Sequence, residues 1–431
     1  MSIELNMQEW QRATIVTHPQ LAGLALPQDD QTQQLIQELA SSGRLTIIQH
    51  HRGIDIEASS FIGRIRLGEL SLTIRPKVKG LPFLRLMQYA YGLHPLDLFS
   101  ATSFDTEANS FQELLFQQLL AETNELVLHG LQKQYVQRHE ALSSPRGRIS
   151  FSAIANQGGM VQSTLPCTHY LRLEDSLINR VLKQGVRLAA QLTAHDALRM
   201  KLQRLERYHL PNISSLTLNA QTLKQVHRAM TRQTMPYLPV LTLIEILLAA
   251  SGISVAGQPQ DIALPGFLFD MNLFFQNLLY RFLSENLPDY EVQEQYVLDT
   301  VMGYVENPRK RQAPQLRPDY VVKQKGKAVA ILDAKYRDLW QNTLPPHMLY
   351  QLIMYALGQD NCDRATILYP TMGPSASVAS IEVRMPLYAR GSAYVILRPV
   401  DLLHLDQLIL QAREKKNDRD PTRFAHQLIQ D

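Results

Sequence analysis

Cysteine is nearly absent from this chain of 431 residues, since Cys167 and Cys362 are the only two. Two cysteines cannot build a disulfide framework or a four-cysteine zinc site, which favours a reducing compartment such as the cytoplasm. A long apolar run is also lacking, because the most hydrophobic stretch, residues 240–250, is short and carries Glu245. We therefore expect no membrane span, and the amino terminus lacks the basic-then-apolar pattern of a secretory signal.

A large excess of charge of either sign is lacking as well. The 43 lysines and arginines nearly balance the 40 acidic residues, so a histone-like polycation is excluded. Hydrophobic residues make up 45% of the chain, which is typical of a globular protein, and the length favours two or three domains. No Gly-x-x-x-x-Gly-Lys-Ser/Thr loop occurs, and the only Gly-Lys pair is Gly326-Lys327. The chain is therefore not expected to hydrolyse nucleoside triphosphates itself.

Hydrophobic periodicity divides the chain into three segments and predicts a multidomain α+β and α/β protein. Residues 1–105 are predicted to form a small β-rich domain, residues 106–258 a mainly helical middle region, and residues 259–431 an α/β domain. Residues 94–110 suit a linker. The four closely spaced strands of the first segment suggest a meander or small barrel. The predicted elements of the first two segments are helices at 31–42, 81–91 and 111–131 and strands at 45–48, 53–57, 62–67 and 70–75.

The third segment has the order helix, antiparallel strands, helix, strand. Its predicted elements are helices at 267–287 and 346–357 and strands at 291–298, 316–323, 328–336, 365–369, 378–383 and 393–397.

Two of these strands carry a candidate metal site. Asp319 and Asp333 each lie seven residues from Gly326, so a hairpin symmetric about that glycine would make them cross-strand neighbours. Lys335 falls on the same face as Asp333, because strand side chains alternate. Two adjacent carboxylates repel unless a cation separates them, and Mg²⁺ accepts such oxygens, with the Ala334 carbonyl as a further ligand. The set is typical of a phosphodiester hydrolase, and the alternative is ordinary surface charge on a hairpin.

Residues 301–340 hold nine basic and four acidic side chains, so the net positive charge of this segment alone exceeds the net charge of +3 of the whole chain. This local charge favours a polyanionic substrate, although a solvated basic loop would have the same composition. The candidate DNA-contacting residues are Arg309, Lys310, Arg311 and Arg317. On the following helix, Gln351 and Tyr355 share one face through their i, i+4 spacing, a pattern that packing alone can explain.

These motifs resemble the PD-(D/E)xK nuclease superfamily, with Asp319 as the first acid and Asp333-x-Lys335 as the second acid and the lysine. Gln351-xxx-Tyr355 is similar to the helix motif of RecB-like members. The chain is most similar to the McrC family, the nuclease subunits of McrBC-type modification-dependent restriction systems, over roughly residues 45–370. The other supporting motifs are Phe61-Ile-Gly63, Leu72-Thr-Ile-Arg-Pro-Lys77, Pro145-Arg-Gly-Arg-Ile149, Leu173-Glu-Asp-Ser-Leu-Ile-Asn-Arg180 and Phe269-Asp-Met-Asn272.

The resemblance implies a restriction-endonuclease-like fold for residues 259–431, with Asp319, Asp333, Lys335, Gln351 and Tyr355 in the catalytic site. It implies Mg²⁺ as cofactor and modified double-stranded DNA as substrate. It also implies a partner, an McrB-like AAA+ GTPase hexamer, which uses the GTP and on which residues 1–105 dock. Dimerisation through the nuclease domain is an option.

One position departs from the family pattern. The family places a glutamate on the helix after Phe269-Asp-Met-Asn272, whereas Gln276 stands here and cannot supply the same charge to a second metal. Two alternatives therefore stay open beside the nuclease subunit. The chain could be a non-catalytic activator of the AAA+ partner, or a RecB-like repair nuclease that acts alone.

Overall fold

The computed structural model describes most of the chain, in two compact units formed by residues 1–108 with 268–431 and by residues 109–267. The described residues are 3–78, 80–94, 111–156, 163–251, 266–298, 302, 304–313, 315–358, 363–384, 393–413 and 419–430. The predicted linker lies outside them except for His94, and so do the predicted boundaries after residues 105 and 258. The three-domain division therefore stays a prediction. No described helix is long and apolar enough to cross a bilayer.

The first segment contains both predicted helices and all four predicted strands. Its elements are β1 (Ile3–Gln8), β2 (Arg12–Ala13), α1 (Asp30–Ser41), β3 (Leu45–His50), β4 (Gly53–Ala58), β5 (Phe61–Leu67), β6 (Leu70–Arg75) and α2 (Gly80–Tyr91). The expectation of a single meander or barrel is wrong, because β3 and β4 form a three-stranded sheet with β2, whereas β5 and β6 join β1 in another. Ser60, between β4 and β5, instead bonds the third segment: its carbonyl accepts from the Met271 amide at 3.0 Å.

The middle segment is mainly helical, as predicted. Its elements are α3 (Phe111–His129), β7 (Gln134–Leu142), β8 (Arg148–Ile149), α4 (Phe151–Asn156), β9 (Leu165–Leu173), α5 (Leu177–Leu192), α6 (Asp196–His209), α7 (Ala220–Arg228) and α8 (Leu238–Ala250). The three-stranded sheet of β7, β9 and β8 lies outside that prediction, except that residues 145–151 have the sequence of a turn into a strand. Its side chains are largely exposed, including Tyr135 and Tyr170, so the strands lack a regular buried face.

A buried polar cluster fixes the start of α5. The Asn179 amide donates to the Gln132 carbonyl at 2.9 Å and to the Glu174 carbonyl at 2.7 Å. Its oxygen accepts from the Tyr237 hydroxyl at 2.8 Å. Asn179 is fully buried, so water could not take over its hydrogen bonds to the two carbonyls and the hydroxyl.

The third segment forms a six-stranded mixed sheet in the order β11-β12-β13-β14-β16-β15. Its elements are β10 (Gly266–Asp270), α9 (Met271–Asn286), β11 (Glu291–Glu294), β12 (Tyr320–Gln324), β13 (Lys327–Ala334), α10 (Pro346–Leu357), β14 (Arg364–Thr371), β15 (Ala379–Val383), β16 (Ala393–Asp401), α11 (Leu402–Arg413) and α12 (Arg419–Ile429). The helix predicted from residue 267 is wrong at its start. The first residues form β10, which joins the sheet of β1, β6 and β5, and Asp270 caps α9 by accepting from the Asn272 amide.

Helices cover both faces of the six-stranded sheet. On one face, Leu352 and Tyr355 of α10 pack in a buried cluster with Ile331 and Ile367 of the sheet. On the other, Phe275 of α9 meets the Tyr336 ring edge to face, with 5.9 Å between centroids. Residues just past the end of β13 therefore alternate between two different environments.

Replacing Asn179 with alanine should destabilise the unit formed by residues 109–267 by about 2–3 kcal/mol, since two carbonyls and a hydroxyl lose a buried partner. Urea denaturation measures this change in the free energy of unfolding. Gln191→Ala is the matched control, because Gln191 is exposed on the same helix. An equal effect of both substitutions would show that the cluster contributes no specific stability.

Candidate active site

The β12–β13 hairpin turns through Lys325 and Gly326, whose φ angles are +53° and +79°. Two-residue turns with positive φ at both positions are common in hairpins, because the twist of the turn matches the right-handed twist of the two strands that it joins. The register set by this turn alone would place Asp319 opposite Leu332, on the wrong face of the hairpin for a paired site.

A β-bulge corrects the register. Val322 pairs with Ala330 whereas Lys323 pairs with Ala328, so the register shifts by one position between these two pairs, at Val329. The extra residue shifts the pairing by one position beyond the bulge. The two predicted carboxylates consequently come to lie opposite each other, although the hairpin is not symmetric about its glycine.

Asp319, Asp333 and Lys335 converge at the end of β13. The Lys335 ammonium lies 2.9 Å from an oxygen of Asp333 and 3.6 Å from an oxygen of Asp319. The same Asp319 oxygen accepts the Ala334 amide at 2.8 Å, which holds its carboxylate against the neighbouring strand. The structure therefore brings together the three residues that the hairpin argument grouped.

Burial controls the charges of this cluster. Asp333 is 2% exposed, and burial raises its pKa to about 6 although Lys335 opposes that change; the charge of Asp319 raises the pKa further. Burial alone would lower the pKa of Lys335, but the charges of Asp333 and Asp319 outweigh it and raise that pKa. Near neutral pH, Asp333 is therefore mostly ionised and Lys335 is protonated.

This donor set fits Mg²⁺. One ammonium leaves a net charge of −1 on two buried carboxylates, which favours a further cation. Within the described ranges, no three His, Cys, Asp or Glu side chains are grouped closely enough to hold a metal. Mg²⁺ needs no such group, because it is commonly held by one or two carboxylates, with waters and substrate phosphate filling its other positions. The main-chain carbonyl of Ala334, between Asp333 and Lys335 in the sequence, is a further candidate ligand.

Gln351 and Tyr355 are adjacent to this cluster. The Gln351 amide donates to the Tyr355 hydroxyl at 2.6 Å, and that hydroxyl donates to the main-chain carbonyl of Arg317 at 2.9 Å. Burial raises the pKa of Tyr355, and the charge of Asp333 raises it further. The pair thus anchors the segment that enters β12 and keeps the phenol protonated.

The predicted DNA-contacting side chains are exposed, and they lie on the chain that leads into β12. The Asn307 side chain bonds both the amide and the carbonyl of Arg311, which closes the loop that carries Arg309 and Lys310. The Arg317 guanidinium donates to the Gln315 side chain at 2.7 Å.

Sequence reasoning focused on Gln276 and missed Gln295. The Gln276 carbonyl accepts from the Tyr320 hydroxyl at 2.6 Å. Gln295, directly after β11, brings its amide nitrogen to 3.5 Å from the other oxygen of Asp319. It adopts a φ of +49°, which is uncommon outside glycine. No motif marks this residue, because its position depends on the path of the chain beyond β11.

Glu9 is a second residue that the sequence did not single out. One of its oxygens accepts the Tyr336 hydroxyl at 2.8 Å and the Lys77 amide at 2.7 Å, and its other oxygen is buried without a partner. Tyr336 directly follows Lys335 and points to the opposite face. Burial raises the pKa of Glu9 to about 7. This carboxyl therefore ties the end of β1 to the strand that carries the lysine.

Asp333→Asn should stabilise the protein at pH 7 in the absence of divalent cations, by roughly 1–3 kcal/mol. The folded-state pKa of Asp333, about 6, lies above its ordinary value of 3.8, so the wild type loses stability as the pH rises from 3.8 to about 6. The variant should lack this loss. Thermal unfolding across that range measures it, and a variant less stable than wild type at pH 7 would contradict the burial argument.

Glu9→Gln should likewise flatten the pH dependence at higher pH. The folded-state pKa of about 7 lies above the ordinary 4.5, so the stability lost by the wild type between these values should be retained by the variant. At pH 8 we expect a gain of about 1–3 kcal/mol in the free energy of unfolding. Glu57→Gln, at an exposed position of β4, is the control, and matching pH profiles for the two variants would contradict the assignment.

Comparison with known proteins agrees with the motifs. Residues 56–370 match the family model described as McrBC 5-methylcytosine restriction system component. A search of curated protein sequences finds no match.

Solved structures also resemble the chain. It is similar to a chain in the half-complex from a tetradecameric assembly of Thermococcus gammatolerans McrB AAA+ hexamers with bound McrC, with 20% identity, a TM-score of 0.58 and coverage of 93% of this chain and 95% of that one. A chain in the cryo-EM structure of the Thermococcus gammatolerans McrBC complex matches with 19% identity, a TM-score of 0.46 and coverage of 66% and 88%. Since the family model spans more than half of its length, this chain belongs to the family of McrBC 5-methylcytosine restriction system components.

Proposed function

We propose that this protein is the Mg²⁺-dependent endodeoxyribonuclease subunit of an McrBC-like restriction system, and that residues 259–431 form a PD-(D/E)xK nuclease domain. The observation that carries the proposal is the buried convergence of Asp319, Asp333 and Lys335 at one end of the sheet. A hairpin of incidental surface charges would leave its carboxylates in water, whereas these are 7% and 2% exposed. Burying charge is costly, so its retention favours a functional role.

Asp319, Asp333 and the main-chain carbonyl of Ala334 would hold the Mg²⁺. When bound, the ion lowers the pKa of a ligand water and neutralises charge on the scissile phosphate. The protein would orient the ligands of the ion, because the Ala334 amide donates a hydrogen bond of 2.8 Å to the Asp319 carboxylate and so fixes its position. Gln295 restrains the other oxygen of Asp319 from the side of β11.

Lys335 acts through its charge and its N–H groups. Its raised pKa keeps it protonated at neutral pH, so it serves as a hydrogen-bond donor and counter-charge and not as a general base. Its side chain is 24% exposed, unlike the carboxylates, and can therefore reach the phosphate. There it would stabilise the negative charge that develops in phosphodiester hydrolysis.

Gln351 and Tyr355 position this site, since Tyr355 bonds the carbonyl of Arg317 two residues before Asp319. The exposed cations Arg309, Lys310, Arg311 and Arg317 would contact the DNA backbone. Such contacts give affinity that depends on salt and carries no sequence information.

The energy for DNA translocation would come from a partner. We expect an McrB-like AAA+ GTPase hexamer, because the chain lacks a phosphate-binding loop and resembles a chain of an assembly of McrB AAA+ hexamers with bound McrC. Residues 1–105 would dock on that ring, and the substrate would be modified double-stranded DNA. The family description names 5-methylcytosine, which makes methylated DNA the first substrate to test.

Lys335→Ala and Asp333→Asn should each reduce cleavage of 5-methylcytosine-containing DNA at least about 100-fold in the presence of the McrB-like partner, GTP and Mg²⁺. Lys327→Ala removes an exposed lysine at the start of β13 and should cleave like the wild type. Both site variants should still stimulate the partner's GTPase, since they leave residues 1–105 intact. Undiminished cleavage by both would contradict the nuclease assignment, and stimulation without cleavage by the wild type would favour an activator.

A further inference from the structure

A pocket of about 440 Å³ is lined in part by Tyr336 and Arg337, the two residues that directly follow Lys335. It is formed at the carboxyl ends of β13 and β14 together with residues of the first segment that follow β1 and β6. Its volume is within the range of about 300–1,000 Å³ that is typical of small-molecule sites. The nuclease mechanism does not use it.

Both tryptophans of the chain line this pocket. Trp10 is 37% exposed and Trp340 is 48% exposed, so each offers a large ring area to a ligand. Trp10 has a φ of +63°, a strained conformation for a bulky residue. Strain of this kind is retained where the surrounding structure holds a side chain in a required place. The Asp338 carboxylate accepts the Trp340 amide at 3.2 Å and so positions the second ring.

Two cations line the same pocket. The Arg337 guanidinium lies 5.5 Å from the centroid of a Trp10 ring, and the Lys77 ammonium lies 3.7 Å from a carboxylate oxygen of Asp338. The lining therefore carries two positive charges and one negative charge, and it combines aromatic with cationic surfaces. A ligand that is both aromatic and anionic matches this lining.

The pocket also contains an unused polar group. The Thr371 hydroxyl is buried and has no hydrogen-bond partner in the structure, although buried hydroxyls nearly always have one. Thr371 ends β14 and lines the pocket, so this unsatisfied hydroxyl lies just behind the pocket wall.

We propose that this pocket binds a nucleotide, with its base against the tryptophan rings and its phosphate at Lys77 and Arg337. Stacking on aromatic side chains accommodates any base. Since Tyr336 and Arg337 directly follow Lys335, an unstacked nucleotide of a DNA strand near the catalytic lysine is one source. The other is a free nucleotide.

Tryptophan emission tests the proposal directly, because no tryptophan lies elsewhere in the chain. The full-length protein is titrated, without Mg²⁺, with a mixed-sequence single-stranded oligonucleotide and separately with dGMP and with GTP. Quenching by the oligonucleotide alone would assign the pocket to a strand nucleotide, and quenching by a mononucleotide would assign it to a free one. No change in emission with any of the three overturns the proposal.

Fluorescence anisotropy of a labelled oligonucleotide measures how substitutions in the pocket change its affinity for the protein. Trp340→Ala should weaken binding about tenfold, the loss expected when one stacking partner is removed. Arg337→Ala should also weaken it, whereas Tyr208→Ala, an exposed aromatic outside the pocket, should not. Wild-type affinity in both pocket variants overturns the proposal. Because these measurements need no cleavage, a failure of the nuclease assignment would leave them unchanged.

Discussion

The register of a single hairpin is the constraint on which the candidate site depends. A two-residue turn sets one pairing of β12 with β13, and the β-bulge between Val322 and Lys323 changes that pairing by one position. Because side chains alternate along a strand, that one position decides whether Asp319 lies with Asp333 or on the far side of the sheet. The bulge lies several residues away from Asp319 and Asp333. The extra residue therefore disrupts the strand pairing near the turn and leaves the pairing next to the cluster regular.

The two residues that follow β13 point to opposite faces of the sheet and have different partners. Lys335 points to the carboxylates, whereas Tyr336 points the other way to Glu9, a residue more than three hundred positions earlier in the chain. The first segment therefore does not only lie near the third segment; it bonds the residue next to Lys335. A change at the end of β1 that moves Glu9 would act on the residue adjacent to that lysine.

Much of the third segment could be predicted from sequence, because α10 and the central strands carry strong periodic patterns. The equal spacing of the two carboxylates about Gly326 predicts their pairing, but the symmetric loop assumed for it is wrong, since a tight turn with a bulge gives the same pairing. Phe267 was assigned to a helix because an apolar run does not reveal its period at a boundary. The β7–β9 pair was missed since its strands bury little. Glu9 could not be found, because nothing local marks a carboxyl that is buried by distant residues.

The nuclease proposal requires that the carboxylates of Asp319 and Asp333 belong to one cation site. Calorimetric titration of Mg²⁺ into the wild-type protein, Asp319→Asn and Asp333→Asn measures whether they do. The structure predicts binding in the wild type and its loss in each variant, because two buried oxygens from opposite strands must act together. Retention of wild-type Mg²⁺ affinity when either carboxylate is replaced would contradict it.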